Sequence, residues 1–516
     1  MKAFLMYKER DFDPHAGLRA NAAELTQDLE LNTLFEAMSG RDDFLLGIAR
    51  TAVLSSMVDP GAIRYRQHVL ADCLNHRNTV RLIYGLAVEA VEREKKVWGW
   101  MSARYPEGTL HRSIEVLRIF LEILKKLRAV AIEQSDGFRS EGFQRLFATI
   151  SSELDDAYVG LVEEHLARLE FDSGILISAE LGDGNRGVQY VLRKSSDAKP
   201  SWAARLQGWL DQVTGRNGLS YVYEIADRDE GGFRALSNLR SQGIAHVAAA
   251  LANSTDHVLS FFNMLRAELG FYVGCMNLQE RLAEKGEPIC FPEPLPPEDR
   301  ILSGRALYDV CLSLNLEARA VGNDITADGK HLVMITGANR GGKSTFLRAL
   351  GLAQLMMQCG MFVPAGEFRA NVCRGLFTHF KREEDATMKS GKLDEELNRM
   401  SAIVDAIGAN IIVLFNESFG STNEREGSQI ARQVVRGLLE AGTKVYYVTH
   451  MFDLADGFHR ERMTTTLFLR AERLPDGRRT FRLWEGAPEP TSYGRDLYER
   501  IFEIASGSSP AAAVPH

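Results

Sequence analysis

Apolar residues in the first 290 positions recur at the spacing of amphipathic helices. Ile114, Leu117, Leu121 and Leu124 follow one another at intervals of three and four, with charged side chains between them. The same spacing predicts helices over residues 45–57, 62–101, 113–135, 141–170 and 232–284. Several of these helices are long, which favours extended helical arms over a compact bundle.

The helical spacing is interrupted between residues 172 and 226. Residues 174–177, 188–192 and 219–223 are short runs rich in strand-forming side chains, and glycine and other turn residues occupy 182–185. This segment is therefore predicted to be a small β-containing subdomain inserted into the helical region.

The pattern changes again after the proline-rich segment 291–297, where proline blocks helix continuation. Strand-like and helix-like runs then alternate, which predicts an α/β domain. The predicted elements are strand 332–336, helix 343–358, strand 410–415, helix 424–441, strand 443–448 and a hairpin of 465–469 with 480–483. We predict a helical domain over 1–295, an α/β domain over 296–505 and a disordered tail over 506–516.

Charge and cysteine content narrow the choice of function. Residues 1–300 hold 35 Lys and Arg against 43 Asp and Glu, which accounts for the whole net charge of −8. A nucleic-acid contact would need a local patch, for which residues 51–150 are basic enough. Six scattered cysteines, with no long apolar run or secretory signal, predict reduced thiols in a cytoplasmic protein without a membrane span.

Residues 337–345, Gly-Ala-Asn-Arg-Gly-Gly-Lys-Ser-Thr, form a phosphate-binding P-loop pattern between a predicted strand and a predicted helix. Its glycines allow backbone N–H groups to face an anion, and the helix adds its positive N-terminal end. A lysine in this position reaches the β- and γ-phosphates of a nucleotide, and the serine hydroxyl can bind Mg²⁺. The predicted nucleotide-binding residues of the loop are Gly337, Asn339, Gly341, Gly342, Lys343, Ser344 and Thr345, with Ser344 also a metal ligand.

Polar residues also follow the next two predicted strands. Asn416 and Glu417 come directly after strand 410–415, and His450 follows strand 443–448. A carboxylate beside a P-loop can orient or deprotonate water, so Glu417 is the predicted base and His450 a second catalytic candidate. Asn416 stands where an acidic residue normally helps to hold Mg²⁺, and it offers an uncharged oxygen instead. The alternative is that Glu417 merely ends its strand.

These segments together resemble the MutS family of DNA-mismatch and DNA-junction ATPases. Asn323-Asp324, upstream of the P-loop, is similar to the nucleotide-proximal Asn-Asp of that family, so Asn323 is added to the predicted nucleotide contacts. The other segments that carry the resemblance are 336–345, 362–365, 416–417 with 420–423, 449–454 and 492–494.

The resemblance implies an α-helical core and lever region with a small inserted subdomain, followed by an α/β ABC-type P-loop ATPase domain. It implies ATP and Mg²⁺ as cofactors and a homodimer with composite ATP sites, in which nucleotide state moves helical arms that hold duplex or branched DNA. The insertion 172–226 then corresponds to the DNA-gripping clamp. Its cations and tryptophans are Arg193, Lys194, Lys199, Arg205, Trp202 and Trp209.

The sequence also departs from the family pattern. It begins close to the core region, without room for the amino-terminal mismatch-recognition and connector domains, and no nuclease-like domain follows the ATPase region. Ala320 replaces an adenine-stacking aromatic residue, and Ser390 or Lys392 only loosely matches the loop that faces the partner's γ-phosphate. An ATP-gated scaffold with weak or no hydrolysis and a protein cargo is therefore the alternative function.

Overall fold

The computed structural model describes residues 1–97, 105–171, 174–185, 187–193, 229–382, 391–474 and 477–489. These residues form two compact units that are not consecutive in sequence. The first takes in Met1–Lys2, Leu82–Ser135 and Phe147–Arg266, and the second takes in Ala3–Arg81, Asp136–Leu146 and the described residues from Ala267 onward. The domain boundary predicted near residue 295 falls inside the second unit, so it does not coincide with this division.

Nine helices of the described chain precede residue 290. They are α1 (Ala22–Asp28), α2 (Leu31–Ser39), α3 (Asp43–Leu54), α4 (Pro60–Asn75), α5 (Arg77–Lys96), α6 (Pro106–Gln134), α7 (Glu141–Glu153), α8 (Asp156–Arg168) and α9 (Glu230–Glu284).

Two of the predicted long helices are each divided in the structure. The predicted helix 62–101 breaks at His76, which has the non-helical angles φ −122° and ψ 44°. The predicted helix 141–170 ends at Glu153 and restarts after Asp155, whose carboxylate accepts a hydrogen bond from the N–H of Tyr158 at 2.7 Å. Both breaks lie in runs whose apolar spacing continues, so periodicity alone did not reveal them.

The first unit contains its own apolar core and the described part of the insertion. The core residues are Leu110, Ile114, Leu166, Ile244 and Ala248. Strands β1 (Ile177–Leu181) and β2 (Gly187–Leu192) pair antiparallel. Strand β2 agrees with the predicted strand 188–192, whereas β1 begins where the predicted strand 174–177 ends. The predicted strand 219–223 lies outside the described residues.

The second unit contains the α/β elements. Its strands are β3 (Glu293–Leu295), β4 (Leu302–Leu307), β5 (Asn323–Thr326), β6 (Leu332–Gly337), β7 (Glu367–Asn371), β8 (Gly375–Phe380), β9 (Ile411–Asn416), β10 (Lys444–Val448), β11 (Thr466–Arg473) and β12 (Arg479–Glu485). Its helices after α9 are α10 (Val310–Asn315), α11 (Lys343–Gln358), α12 (Lys392–Asp405), α13 (Glu424–Glu440) and α14 (Phe452–Arg460). The predicted alternation of strands and helices is confirmed.

The order of the strands explains where a site can form. One sheet runs β12-β11-β6-β10-β9-β8, and a smaller one runs β3-β7-β4-β5. In the larger sheet, β10 pairs in parallel with both β6 and β9. The carboxyl ends of these three strands therefore meet at one edge, the usual place for a ligand in an open α/β sheet.

Two further predictions concern the state of the cysteines and membrane-spanning helices. All six cysteines are free thiols, and all except the half-buried Cys290 are buried. In the part of the chain that the structure describes, no helix is both long and apolar enough to cross a membrane.

Candidate active site

A cavity of about 800 Å³ opens at the carboxyl ends of β6, β9 and β10. It brings together the P-loop, which follows β6, with Glu417 after β9 and His450 after β10. Nine of the predicted site residues line it: Asn323, Asn339, Gly341, Gly342, Lys343, Ser344, Thr345, Glu417 and His450. Gly337 and Asn416 do not line the cavity and lie directly behind residues that do.

The P-loop backbone adopts conformations that need glycine at both ends. Gly337 has φ +101° and Gly342 has φ +91°, both in the left-handed region. A Cβ atom at Gly337 would lie 2.8 Å from the backbone nitrogen of Ala471 on the neighbouring strand. Helix α11 begins immediately after Gly342, so its free N–H groups face the cavity.

Lys343 is folded into the loop rather than extended into solvent. Its ammonium donates to the carbonyl oxygens of Gly337 at 2.9 Å and Ala338 at 3.1 Å. Burial lowers its pKa, and the nearby carboxylate of Glu417 opposes that shift. The lysine is therefore held at the loop by carbonyl oxygens that an anion such as a phosphate could replace.

Ser344 and Asn416 form the predicted metal position. The Ser344 hydroxyl donates to the Asn416 side-chain oxygen at 2.8 Å. Both groups are neutral oxygen ligands, and the described residues contain no cluster of three or more His, Cys, Asp or Glu that could hold a metal. The pair fits Mg²⁺ only when nucleotide phosphates supply the negative charge, which is a common way for proteins to bind this ion.

Glu417 and His450 lie next to each other in the lining of the cavity. The His450 Nδ1 atom lies 3.8 Å from a carboxylate oxygen of Glu417. The pKa of Glu417 is lowered mainly by His450, with smaller contributions from the positive charges of Lys343 and Lys381, so the carboxylate is ionised and able to accept a proton. Its backbone has φ +54°, and its N–H donates to the Val448 carbonyl at 2.9 Å.

Asn323 lines the cavity, and both of its side-chain polar groups are bonded to strand β12. Its side-chain amide donates to the Phe481 carbonyl at 3.1 Å, and its side-chain oxygen accepts from the Leu483 N–H at 2.7 Å. Both polar groups of Asn323 are thus bonded to strand β12, which places Phe481 at the rim of the cavity. Phe481 is 48% exposed and offers an apolar surface there.

Sequence reasoning missed the opposite wall of the cavity. Leu316, Arg319 and Val321 line it, and residues just beyond the end of α9 hold it in place. The Lys285 ammonium donates to the carbonyls of Ser313, Leu314 and Leu316 at 2.6, 3.1 and 2.6 Å. The buried Glu287 accepts from the Ser313 hydroxyl and from the Ala320 N–H, both at 2.7 Å.

The remaining candidates either do not line the cavity or lie outside the described residues. Ala320 is not among the cavity-lining residues. Ser390, Lys194, Lys199, Arg205, Trp202 and Trp209 lie outside the described residues, whereas Lys392 begins α12. Arg193 donates to the Ser178 hydroxyl at 2.8 Å.

The basic stretch 51–150 is largely neutralised by local ion pairs. Arg93 and Lys126, for example, both contact Glu89 and Glu122 on neighbouring turns and helices. Further cations in this stretch with a carboxylate partner are Arg77, Arg81, Lys95, Arg112, Arg118, Lys125 and Arg128. These side chains would have to exchange partners before contacting phosphates.

A P-loop between β6 and α11, with a carboxylate and a histidine after the adjacent parallel strands, defines the class of P-loop nucleotide-binding proteins. Within that class, the chain belongs to the MutS family. The family model described as MutS2 N-terminal domain matches residues 58–285, and that described as MutS domain V matches residues 333–497.

Individual relatives agree with this assignment. The chain is 36% identical over 137 residues to the DNA mismatch repair protein MutS of Thermotoga sp. (strain RQ2), a match that covers 26% of this chain and 17% of the relative. It is 31% identical over 229 residues to Endonuclease MutS2 of Lacticaseibacillus casei, covering 43% of this chain and 28% of the relative. The chain thus matches less than a third of the length of either relative.

The helical region is similar to the MutS2 branch of the family. The family model described as MutS2 N-terminal domain covers residues 58–285, and one of the relatives is named Endonuclease MutS2. The activity in that name is a property of the relative.

Proposed function

We propose that the chain is a MutS-type ATPase whose nucleotide state controls its binding to duplex or branched DNA. The observation that carries the proposal is the single cavity shared by the P-loop, Glu417 and His450. A carboxylate held ionised beside a phosphate-binding loop has the position and the protonation state of a general base. The proposed cofactors are ATP and Mg²⁺.

The residues have distinct parts in the proposed reaction. The P-loop N–H groups and Lys343 bind the β- and γ-phosphates, and Ser344 with Asn416 holds the metal shell. Bound Mg²⁺ would neutralise charge on the phosphates. Glu417 orients the attacking water and accepts its proton, while His450 stabilises the ionised carboxylate and contacts the γ-phosphate side of the cavity.

The apolar end of the cavity is the proposed site for the base and ribose. Phe481 on one side and Leu316 and Val321 on the other supply apolar surface, whereas the P-loop supplies the polar end. Asn323 acts here through Phe481, because both of its polar groups are bonded to β12. Because Ala320 has no aromatic ring to stack on adenine, selectivity for adenine would depend on these apolar contacts.

The assembly that we propose follows from the family resemblance. Two copies would face each other through their ATPase domains and complete each other's sites, with the segment near Ser390 and Lys392 reaching the partner's γ-phosphate. ATP binding would tighten the dimer and move the helical arms, and hydrolysis would release them. The clamp-like insertion 172–226 would contact DNA.

An ATP-gated scaffold that binds a protein is the second candidate, because two observations favour it. The cations of the basic stretch 51–150 are mostly paired with carboxylates, which weakens the case for a DNA surface there. Asn416 also leaves the metal position without a protein charge. Slow ATP hydrolysis with tight ATP binding would suit a protein that changes conformation when ATP binds better than one that depends on repeated hydrolysis.

Nucleotide binding tests the proposal first. Replacing Lys343 by Ala removes the ammonium that is bonded to the P-loop carbonyls of Gly337 and Ala338. It should weaken ATP binding by about 10-fold to 100-fold, since hydrogen bonds to charged groups contribute about 1.5–3 kcal/mol. Equilibrium titration with a fluorescent ATP analogue measures this loss. Lys330→Ala is a matched control, because its ammonium bonds to the Thr464 carbonyl and it does not line the cavity. Unchanged affinity in Lys343→Ala would contradict the proposed site.

A further inference from the structure

A buried histidine and serine lie directly behind the proposed base. Ser418 follows Glu417 in the chain, and His379 belongs to the edge strand β8. Both side chains are fully buried. Neither lines the cavity, and the reaction proposed above uses neither of them. A buried polar pair needs all of its hydrogen bonds satisfied, so its partners indicate what it holds in place.

The hydrogen bonds of the pair fix the orientation of the imidazole ring. His379 Nε2 lies 2.9 Å from the Glu396 carbonyl, which can only accept, so Nε2 carries a proton. Burial lowers the pKa of His379 to about 4, and the ring is therefore neutral near pH 7. Nδ1 is then an acceptor, and it lies 2.7 Å from the Ser418 hydroxyl oxygen.

The Ser418 hydroxyl consequently serves two acceptors. Its oxygen also lies 2.5 Å from the backbone carbonyl of His379, so its single proton is shared between Nδ1 and that carbonyl. The Ser418 carbonyl accepts from the Tyr447 hydroxyl at 2.9 Å. Side chain and backbone of Ser418 are thus both tied to neighbouring strands of the sheet.

The residues on either side of Ser418 have backbone angles that neighbouring contacts must hold in place. Glu417 has φ +54° and Phe419 has φ +61°, and both lie in the left-handed region that favours glycine. Such a residue is strained and persists only where the surroundings enforce its conformation. The Phe419 ring also stacks on the His379 ring, with centroids 5.2 Å apart. His379 therefore contacts both residues that follow Glu417.

The same imidazole reaches a second element. Through Nε2 it is bonded to the Glu396 carbonyl in the first half of α12, the helix that begins at Lys392. The two ring nitrogens thus connect α12 with the turn that carries Glu417. The hydrogen bond at Nδ1 helps to position Glu417, and the hydrogen bond at Nε2 helps to position α12.

We propose that His379 is a positioning residue for ATP hydrolysis, which holds Glu417 in its productive backbone conformation through the Nδ1–Ser418 hydrogen bond. This inference rests on the proposed ATPase function. Loss of the bond lets the turn relax towards ordinary backbone angles and moves the carboxylate away from the attacking water. It leaves the P-loop untouched, so the turnover rate falls while ATP affinity is retained.

Two amide substitutions separate the two ring nitrogens. His379→Asn places a polar group near Nδ1 and can still bond Ser418, whereas His379→Gln places one near Nε2 and can bond only the Glu396 carbonyl. We expect His379→Asn to keep most of the parental kcat for ATP, and His379→Gln and His379→Ala to lose about 10-fold to 100-fold, the cost of a displaced general base. ATP affinity should stay within about twofold of the parent in all three variants.

Ser418→Ala provides an independent variant that removes the same bond from the other side. Ser418→Ala also removes the bond to the His379 carbonyl, so it should lower kcat at least as much as His379→Gln does. The double variant should lose no more than Ser418→Ala alone, because both substitutions remove the same Nδ1 bond. Equal kcat in the parent, His379→Gln and Ser418→Ala would overturn the inference, as would equal losses in His379→Asn and His379→Gln. A parent that binds ATP without Glu417-dependent hydrolysis would overturn the proposed function instead.

Discussion

Asn416 is the clearest difference between this site and a metal site that contains a carboxylate ligand. Its side-chain oxygen accepts the Ser344 hydroxyl at 2.8 Å, so it is already placed to meet a metal-bound water. A neutral amide attracts a divalent cation less strongly than a carboxylate does. The binding of Mg²⁺ should therefore depend heavily on the nucleotide phosphates.

Restoring the carboxylate at this position tests that account. We expect Asn416→Asp to lower the Mg²⁺ concentration needed for half-maximal ATP hydrolysis several-fold and to raise the turnover rate. Titration of Mg²⁺ at saturating ATP measures both quantities. Asn416→Ala is the matched control and should raise the Mg²⁺ requirement. An identical Mg²⁺ dependence in all three proteins would show that residue 416 does not contact the metal shell.

The sequence identified the site residues that lie in short motifs. Lys343 and Ser344 could be predicted from the P-loop pattern. Glu417 and His450 could be predicted because they follow strongly apolar strands, and parallel strands end at the same edge of a sheet. Phe481 could not, because its place depends on bonds from Asn323, a residue more than 150 positions earlier. Contacts of this kind leave no local pattern.

At the scale of elements, residues just beyond the end of helix α9 hold one wall of the cavity, the wall that contains Leu316, Arg319 and Val321. The helix runs for 55 residues, Glu230–Glu284, and Lys285 and Glu287 just beyond its end hold α10 and the segment up to Ala320. Lys285 supplies an additional donor to carbonyls at the C-terminal end of α10, where few helical N–H partners remain. The position of the wall therefore depends on the end of this long helix.

Replacing Lys285 by Met should loosen that wall while keeping the length and apolar stem of the side chain. We expect the affinity for ATP and for ADP to fall alike, by about 5-fold to 20-fold, because hydrogen bonds from a charged group contribute about 1.5–3 kcal/mol and only part of this acts on the wall. Calorimetric titration with each nucleotide measures the change. Lys285→Arg is the control and should retain most of the affinity. A loss confined to ATP would instead place Lys285 near the γ-phosphate.

The division of the helices shows where element prediction fails. The break at His76 and the cap at Asp155 interrupt runs in which apolar residues continue at helical spacing. Asp155 is a good N-cap residue, but aspartate is also common on exposed helix faces, so its role is decided by the fold around it. Strands β6, β9 and β10 were predicted well because buried parallel strands are continuous apolar runs, whereas β8 of the same sheet was not predicted.

At the scale of the whole molecule, the net charge of −8 and the paired cations limit where DNA can bind. Phosphate contacts require cations that are available to replace counterions. The insertion 172–226 carries Arg193, Lys194 and Lys199 close together in sequence. The proposed DNA contact is therefore this basic cluster of the clamp-like insertion.

Replacing Arg193, Lys194 and Lys199 together by Ala should weaken duplex binding and reduce the slope of log affinity against log salt by about 2–3 units, because each lost phosphate contact removes close to one unit. Salt-titrated binding to duplex and four-way-junction DNA, with and without ATP, measures the effect. The triple variant Lys95→Ala, Lys125→Ala, Lys126→Ala is charge-matched and removes cations paired with glutamates. An unchanged slope in the first variant and a reduced one in the control would move the DNA contact to the stretch 51–150.

The most direct test of the central claim is single-turnover ATP hydrolysis by Glu417→Gln. The substitution keeps the size of the side chain and removes its ability to accept a proton, so bound ATP should persist while the hydrolysis rate falls about 10²-fold to 10⁴-fold. ATP affinity close to that of the parent, together with this loss of rate, is the predicted result. Hydrolysis by Glu417→Gln at the parental rate would contradict the assignment of this cavity as an ATPase site with Glu417 as its base.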